Sequence, residues 1–234
     1  MENAYADPDW ELLLKSVVER REDDLLRLVA ADWLDERGET ERAEFIRLQI
    51  ERTRDDRPEL AWRETALQNN PLFGPLWALE SCPNLVQLTF GSESGSHVRA
   101  VGVLGPERVV FRRGFVEKIV CPAAEWLKFG SGIVPRQPIR ELILQRYDVL
   151  EPNERWDLLD TLKMIPQVDI DTDSLVAVDW LMNRLVKSNV TVSVRGEVTT
   201  GRLMADGMGS GIAAEARPSW KDAEIQPSAI PARG

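Results

Sequence analysis

The sequence predicts an α/β protein in which a helical head precedes a short strand/helix array with parallel strands. Three observations carry that prediction. Four segments within residues 1–80 space their apolar residues as helices do and are bounded by helix-starting and helix-stopping residues. From Leu85 to Val192 a frame of apolar-x-x-apolar-x-apolar recurs. Segments of helical periodicity fill the gaps between the frames. The expected organisation is a head over 1–82, an array over 83–197 and a disordered tail over 198–234, rich in Gly, Ala, Pro and Ser.

In the head, Asp7 or Asp9 caps a first helix with Pro8 in its opening turn, and Trp10, Leu13, Leu14, Val17 and Val18 form its apolar face. Asp23-Asp24 starts a second, where negative charge suits the positive end of the helix dipole. Its expected buried face is Leu25, Leu28, Val29, Ala31 and Leu34, and Gly38 stands where a C′ glycine stops a helix. A third helix, about Thr40 to Arg54, buries Ala43, Phe45, Ile46 and Leu48. Pro58 opens a fourth, with Leu60, Ala61 and Leu67 inward, and Asn69-Asn70-Pro71 ends it.

Composition narrows the function. The 234 residues are 43% apolar and 29% charged, as in soluble globular proteins. No apolar run approaches the ~20 residues that span a bilayer, and the acidic N-terminus lacks the basic and apolar parts of a signal peptide. Cys82 and Cys121 are expected to be free buried thiols, which fits a cytoplasmic location. One His and two Cys leave too few ligands for a classical zinc site, and neither a metal nor a cofactor is expected. Residues 1–80 hold 20 acidic and 11 basic residues, a net of −9, against −1 for the remainder. A field of that sign repels phosphate backbones and disfavours nucleic-acid binding through the head.

The run Ala31-Asp-Trp-Leu-Asp-Glu-Arg-Gly38, followed by Arg42-Ala-Glu-Phe-Ile-Arg-Leu-Gln49, resembles the repeat-companion domain of planctomycete bacteria such as Gemmata. Residues about 10–52 carry the match. It extends loosely through Arg112-Arg-Gly-Phe-Val116, which is similar to the "RGF" stretch that follows in such proteins. The resemblance implies a head that keeps company with repeats, and it implies no activity and no catalytic residue.

Within the motif, Asp32, Asp35, Glu36 and Glu44 have the look of a carboxylate cluster. Interleaved Arg27, Arg37, Arg42 and Arg47 favour a structural corner instead, with Asp32, Glu36 and Glu44 paired to arginines, Trp33 packed beneath and Gly38 at the turn.

The array frames are Leu85/Leu88/Phe90, Val116/Ile119/Cys121, Ile139/Leu142/Leu144, Ile165/Val168/Ile170 and a degraded Lys187/Val190/Val192. Most central spacings fall in the range of about 20–29 residues typical of leucine-rich repeats. The helical gaps are Ala123–Phe129, Asn153–Met164 and Ser174–Lys187. The copies depart from the leucine-rich pattern in one respect: its usual Asn or Cys is replaced by Glu93, Ala124, Tyr147, Asp173 and Arg195. A compact α/β sheet with helices on one face is the competing architecture. If the array is real, strand residues outside the core set face its concave side, unless a longer edge or the head covers them: Glu117, Lys118 and Val120; Arg140, Glu141 and Ile143; Gln167 and Asp169. Ile143 beside Val120, ringed by charges of both signs, is a candidate binding patch. Arg108, Arg112 and Arg113, with Lys118, form the basic cluster, for which docking on the acidic head is the simplest role. Gly91–Ser96 is expected to be a flexible loop, with His97 after it in no catalytic arrangement.

The pattern favours a non-catalytic scaffold or adaptor binding an unidentified protein partner through the strand face and the acidic head. The alternatives are a nucleic-acid accessory protein using Arg108–Arg113 and an enzyme built on two of the carboxylates.

Overall fold

A computed structural model of the chain describes residues 7–86, 89–90, 98–99, 108–172, 174–185 and 188–195. The Gly91–Ser96 loop, His97, Lys187 and the tail from 198 lie outside them. No helix among the described residues is long and apolar enough to cross a membrane.

Among the described residues the head is five helices. The first, α1 (Pro8–Glu19), has Asp7 accepting from the Asp9 amide at 2.9 Å, and α2 (Asp24–Glu36) has Asp23 accepting from the Leu25 amide at 3.0 Å. These caps satisfy amide donors that the first turn of a helix leaves without partners. Gly38 adopts φ +83°, its amide donating to Asp35 O and the Glu39 amide to Leu34 O, each at 3.0 Å. That pair of bonds is a Schellman stop, placed as the sequence predicts. After it come α3 (Thr40–Arg52), α4 (Pro58–Asn69) and α5 (Gly74–Ser81).

The expected inward face of α2 needs correction. Leu25 and Val29 are exposed, while Arg27 is fully buried beside Ala30, Ala31 and Leu34. The buried stripe is 27, 30, 31 and 34. It is as regular as the predicted one but rotated, because the hairpin described below requires a cation inside.

The remaining strands make two sheets. A short antiparallel pair joins β1 (Thr89–Phe90) to β2 (Val98–Arg99). The main sheet runs β3 (Val109–Arg112), β4 (Phe115–Pro122), β5 (Glu141–Gln145), β6 (Gln167–Asp171) and β7 (Thr191–Arg195), in that order. Between β4 and β7 the strands are parallel, joined by α6 (Ala123–Ile133), α7 (Pro152–Leu162) and α8 (Leu175–Leu185). The fold is thus α/β, with parallel strands after a helical head. Two frame assignments change. The Phe90 end of the first frame pairs with β2, and β4 instead has β3 beside it, antiparallel. The last frame is centred on Val192, which aligns with Val168, Leu142 and Ile119. The two-residue slip arose because Val190 and Val192 lie on the same face and fit the frame equally well.

Strand alternation divides the sheet cleanly. Ile119, Cys121, Leu142, Leu144, Val168 and Ile170 share one core with Trp126 of α6, Leu158 and Leu162 of α7 and Leu181 of α8. All three helices therefore cover one face. Strand order is sequential from β4 to β7, without the reversal at which doubly wound sheets bind their ligands. Tyr147, which follows the β5 strand, is buried in a 3-10 turn, and its hydroxyl has no hydrogen-bond partner among the described residues.

Head and sheet share their cores. Phe45 of α3 packs with Trp77 and with Phe111 of β3, their ring centroids 5.2 and 5.7 Å away. Its neighbour Ile46 enters a second core, where Phe115 of β4 stacks on Trp10 and Trp10 on Trp33. Burying each such aromatic stabilises by roughly 1.5–3 kcal/mol. Head and array belong to one compact unit, so the boundary at 82/83 marks a change of element type and not a domain border.

Candidate partner-binding cleft

The β3–β4 turn is where the head holds the sheet. Arg112 pairs with Phe115, leaving Arg113 and Gly114 as a two-residue loop with φ of +50° and +86°. Positive φ at both central residues is the requirement of a type I′ hairpin. A Cβ on Gly114 would lie 2.3 Å from Ile46 Cγ1, so the glycine also permits close packing on α3. This is the RGF stretch.

Three head residues grip that turn. Arg27 donates to Arg112 O at 3.3 Å, to Arg113 O at 3.2 Å, to Arg21 O at 2.8 Å and to the Glu117 carboxylate at 2.8 Å. Arg42 donates to Gly114 O at 2.6 Å, with its guanidinium over the rings of Trp77 and Phe111. Gln49 accepts from the Gly114 amide at 2.7 Å and donates to Phe111 O at 3.1 Å. Desolvation draws the Arg27 pKa down to about 10, against the pull of Glu117. Arg21 adds a second tie, donating to Ile139 O and Met164 O, both at 2.9 Å, on the turns that lead into β5 and β6.

Where α3 and α4 face β3 and the starts of β4 to β6, the surface opens into a cleft of about 530 Å³. Gln49, Arg52, Thr53, Asp56 and Glu64 line it from the head. From the sheet come Phe111, Arg112, Arg113, Glu117, Arg140, Glu141 and Gln167. The carboxylates are engaged by cations: Glu117 by Arg27 and Arg113, Glu64 by Arg52, and Glu141 by Lys118 at 2.6 Å and Arg112 at 3.5 Å.

The predicted open face is partly here. Arg140, Glu141 and Gln167 line the cleft, and Lys118 stands beside Glu141 in register. Val120, Ile143, Asp169 and Ser193 form the next row. Ile143 is buried, as is Asp169, which accepts from Gln167 and Ser193. The expectation of an exposed Ile143 patch is therefore overturned. Glu117 is also buried, because Arg27 draws its carboxylate into the head interface.

The basic cluster disperses. Arg113 docks on the head through Asp24 at 3.4 Å and Glu22 at 3.6 Å, as expected, and also holds Glu117. Arg112 turns to Glu141 and Arg108 to Gln145. The head motif forms a corner, with Asp32 on one of the expected arginines and Glu44 on a different one. Asp32 and Asp35 both bind Arg47, at 2.6 and 2.9 Å, and Glu44 binds Arg63 of α4 at 2.7 Å. Arg37 stacks on Trp33 at 3.7 Å and reaches Asp7 at 3.4 Å, and Glu36 is exposed. Arg27 and Arg42, expected among the corner's cations, leave it for the hairpin.

Among the described residues no three His, Cys, Asp or Glu side chains group as metal ligands would. Cys82 and Cys121 are free and buried, and burial pushes both thiols far up from their ordinary range. The sequence reading did not single out Arg21, Gln49, Arg52 and Glu64. The one available signal was three- and four-residue spacing: Arg27 keeps step with Ala30, Ala31 and Leu34, and Arg42 and Gln49 with Phe45, Ile46 and Ile50. Among protein-family models, curated proteins and solved structures, none matches this chain.

Proposed function

We propose that the chain is a protein-interaction module, a scaffold or adaptor that holds a partner segment in the head–sheet cleft and along the adjoining strand face. In this reading the head is a repeat-companion domain and the sheet a short, divergent array of the leucine-rich type. The observation that carries it is the position of the cleft. It opens where the head meets the edge of the sheet face opposite α6 to α8, and it brings Arg140, Glu141 and Gln167 together with Arg52 and Glu64 of the head. Concave surfaces built across a repeat array are what such arrays use for binding. The carboxylates here accept hydrogen bonds from arginines and lysine, which suits them as structural acceptors and weighs against the enzyme alternative. The dispersal of Arg108, Arg112 and Arg113 onto separate partners weighs against a nucleic-acid surface.

Photo-crosslinking tests this. A photoreactive residue at Gln167 or Thr53 should capture one protein from a lysate of the source organism, and the same residue at exposed Asp160 on α7 should not. Equal capture from all three positions, or none from the cleft, overturns the reading.

A further inference from the structure

We infer that the cleft selects an acidic segment of its partner, gripping it with the guanidinium groups of Arg52, Arg112 and Arg140 while Glu22 acts as a displaceable internal competitor. This rests on the docking reading above and gives the partner a chemistry.

The inference comes from how charge is layered. The cleft has four arginines and four carboxylates in its lining, and counted that way it is neutral. Accessibility breaks the balance. The side chains of Arg112, Arg140 and Arg52 are 51%, 39% and 30% exposed, whereas those of Glu141, Glu64 and Glu117 are 13%, 12% and 2% exposed. Those three carboxylates lie at the floor with Arg113, which is 12% exposed, and the other three guanidiniums stand above them; the fourth lining carboxylate, Asp56, is at the surface on Arg52. An incoming chain therefore meets three guanidiniums, two of them already holding an exposed carboxylate, on a protein whose net charge is −10.

Two carboxylates are accessible near these cations, and both are held at the surface. Asp56 rests on Arg52 at 2.8 Å and is 68% exposed. Glu22, in the turn between α1 and α2, is 72% exposed and sits 2.7 Å from Arg140 and 3.6 Å from Arg113. Surface pairs of this kind add little net stability, so a partner carboxylate can take their place. Arg112 is the least committed: its partner Glu141 is already bound more closely by Lys118, at 2.6 Å against 3.5 Å. Arginine suits the task because its planar fork accepts a carboxylate through two hydrogen bonds. The three forks come from α3, β3 and the lead into β5, so they suit carboxylates spaced along one chain better than a lone anion. A long nucleic acid would have to lie against the −9 head. A short acidic segment brings few charges, and salt screens it from the rest of the head beyond roughly 8 Å.

The test uses the full chain with backbone NMR and fluorescence anisotropy. The probes are labelled twelve-residue peptides of alternating Glu and Ser, Gln and Ser, and Lys and Ser, plus a twelve-nucleotide single-stranded DNA. The glutamate peptide is expected to shift the amide signals of Arg52, Arg112 and Arg140. It should bind about tenfold more weakly to an R112Q/R140Q variant, the loss of about one charge-assisted contact, and about threefold more tightly to E22Q. These residues are surface-exposed, and an unchanged thermal melt would confirm that each variant is folded. Equal binding of the glutamine peptide at the cleft overturns the acidic preference but leaves the docking reading standing. Tighter binding of the DNA to the same residues, no shift at the cleft with the glutamate peptide, or no gain in E22Q also overturns the inference. Failure of the docking reading itself shows separately, in the crosslinking.

Discussion

The head contains two sets of arginines that differ in surroundings far more than in sequence. Arg47 and Arg63 lie on the solvent side of α3 and α4, each pairing with carboxylates that are themselves a third or more exposed. Arg27 and Arg42 lie in the interior and bond mainly to backbone carbonyls of one hairpin. In the first set, water can replace either partner, so each pair adds a few tenths of a kcal/mol. In the second, no water is there to take over. Removing one side chain leaves several buried acceptors without donors, and the cost of such orphans far exceeds the net value of the bonds themselves. Charge density along the motif says nothing about which arginine belongs to which set.

Mutants can break that comparison, starting with the largest effect. Arg27→Ala should lower unfolding free energy in urea by about 3–5 kcal/mol, the range for breaking a buried pair. A double R27M/E117M variant should recover much of the loss, and equal losses in the two would show that the carbonyl bonds, not the ion pair, dominate. Gly114→Ala should cost about 3 kcal/mol, combining positive-φ strain with overpacking against Ile46. Gln49→Ala strands the Gly114 amide and removes the hydrogen bond that Gln49 donates to Phe111 O, so about 1–3 kcal/mol is expected. By contrast, Arg47→Ala should stay within about 1 kcal/mol, and a larger loss would mean that the corner is not the weak member of the comparison.

The smallest effect is a pH dependence. Hydrogen bonding to Arg63 holds the Glu44 carboxyl below its ordinary 4.5. A carboxyl depressed in the folded state contributes stability above its unfolded pKa, and loses it as pH falls through the folded value. In Arg63→Gln, an NMR titration should show Glu44 back near its ordinary range, and the variant's stability should converge on wild type as the solution is acidified below 4.5.

Much of the scaffold could be read from local chemistry. Asp7, Asp23, Pro58 and Gly38 mark helix ends through caps and turns that depend on a few neighbouring residues, and these are where expected. The frames around Ile119, Leu142 and Val168 pair in register because period-two alternation and one buried face admit a single alignment. The misreadings depend on distant parts of the chain. Which way α2 rotates is decided by the β3–β4 turn some 85 residues later, and hydrophobicity alone chose Leu25 and Val29 over Arg27. The antiparallel β3 was hidden because Val109–Arg112 looked like part of a basic cluster, and its partner is set by the Arg113-Gly114 turn. Lys118, Glu141 and Gln167 line up as one row, and Val120, Ile143 and Asp169 as the next, whereas Glu117 falls in step with Ile119 and Cys121. What covers Ile143 and Asp169 has no counterpart in strand periodicity. The cleft itself was not legible, since it exists only between elements that the sequence presents far apart.

Arg21 has one further consequence. A single guanidinium spans the turns entering β5 and β6. Those turns otherwise connect through the Gln167 amide to Arg140 O, a ladder contact at 3.0 Å. A rigid planar group fixed across two successive strand entries works as a gauge: it sets how far they may fan apart along that edge, and with it the curvature of the sheet there. Replacing Arg21 with a shorter side chain would alter the shape of the cleft without changing any residue that lines it.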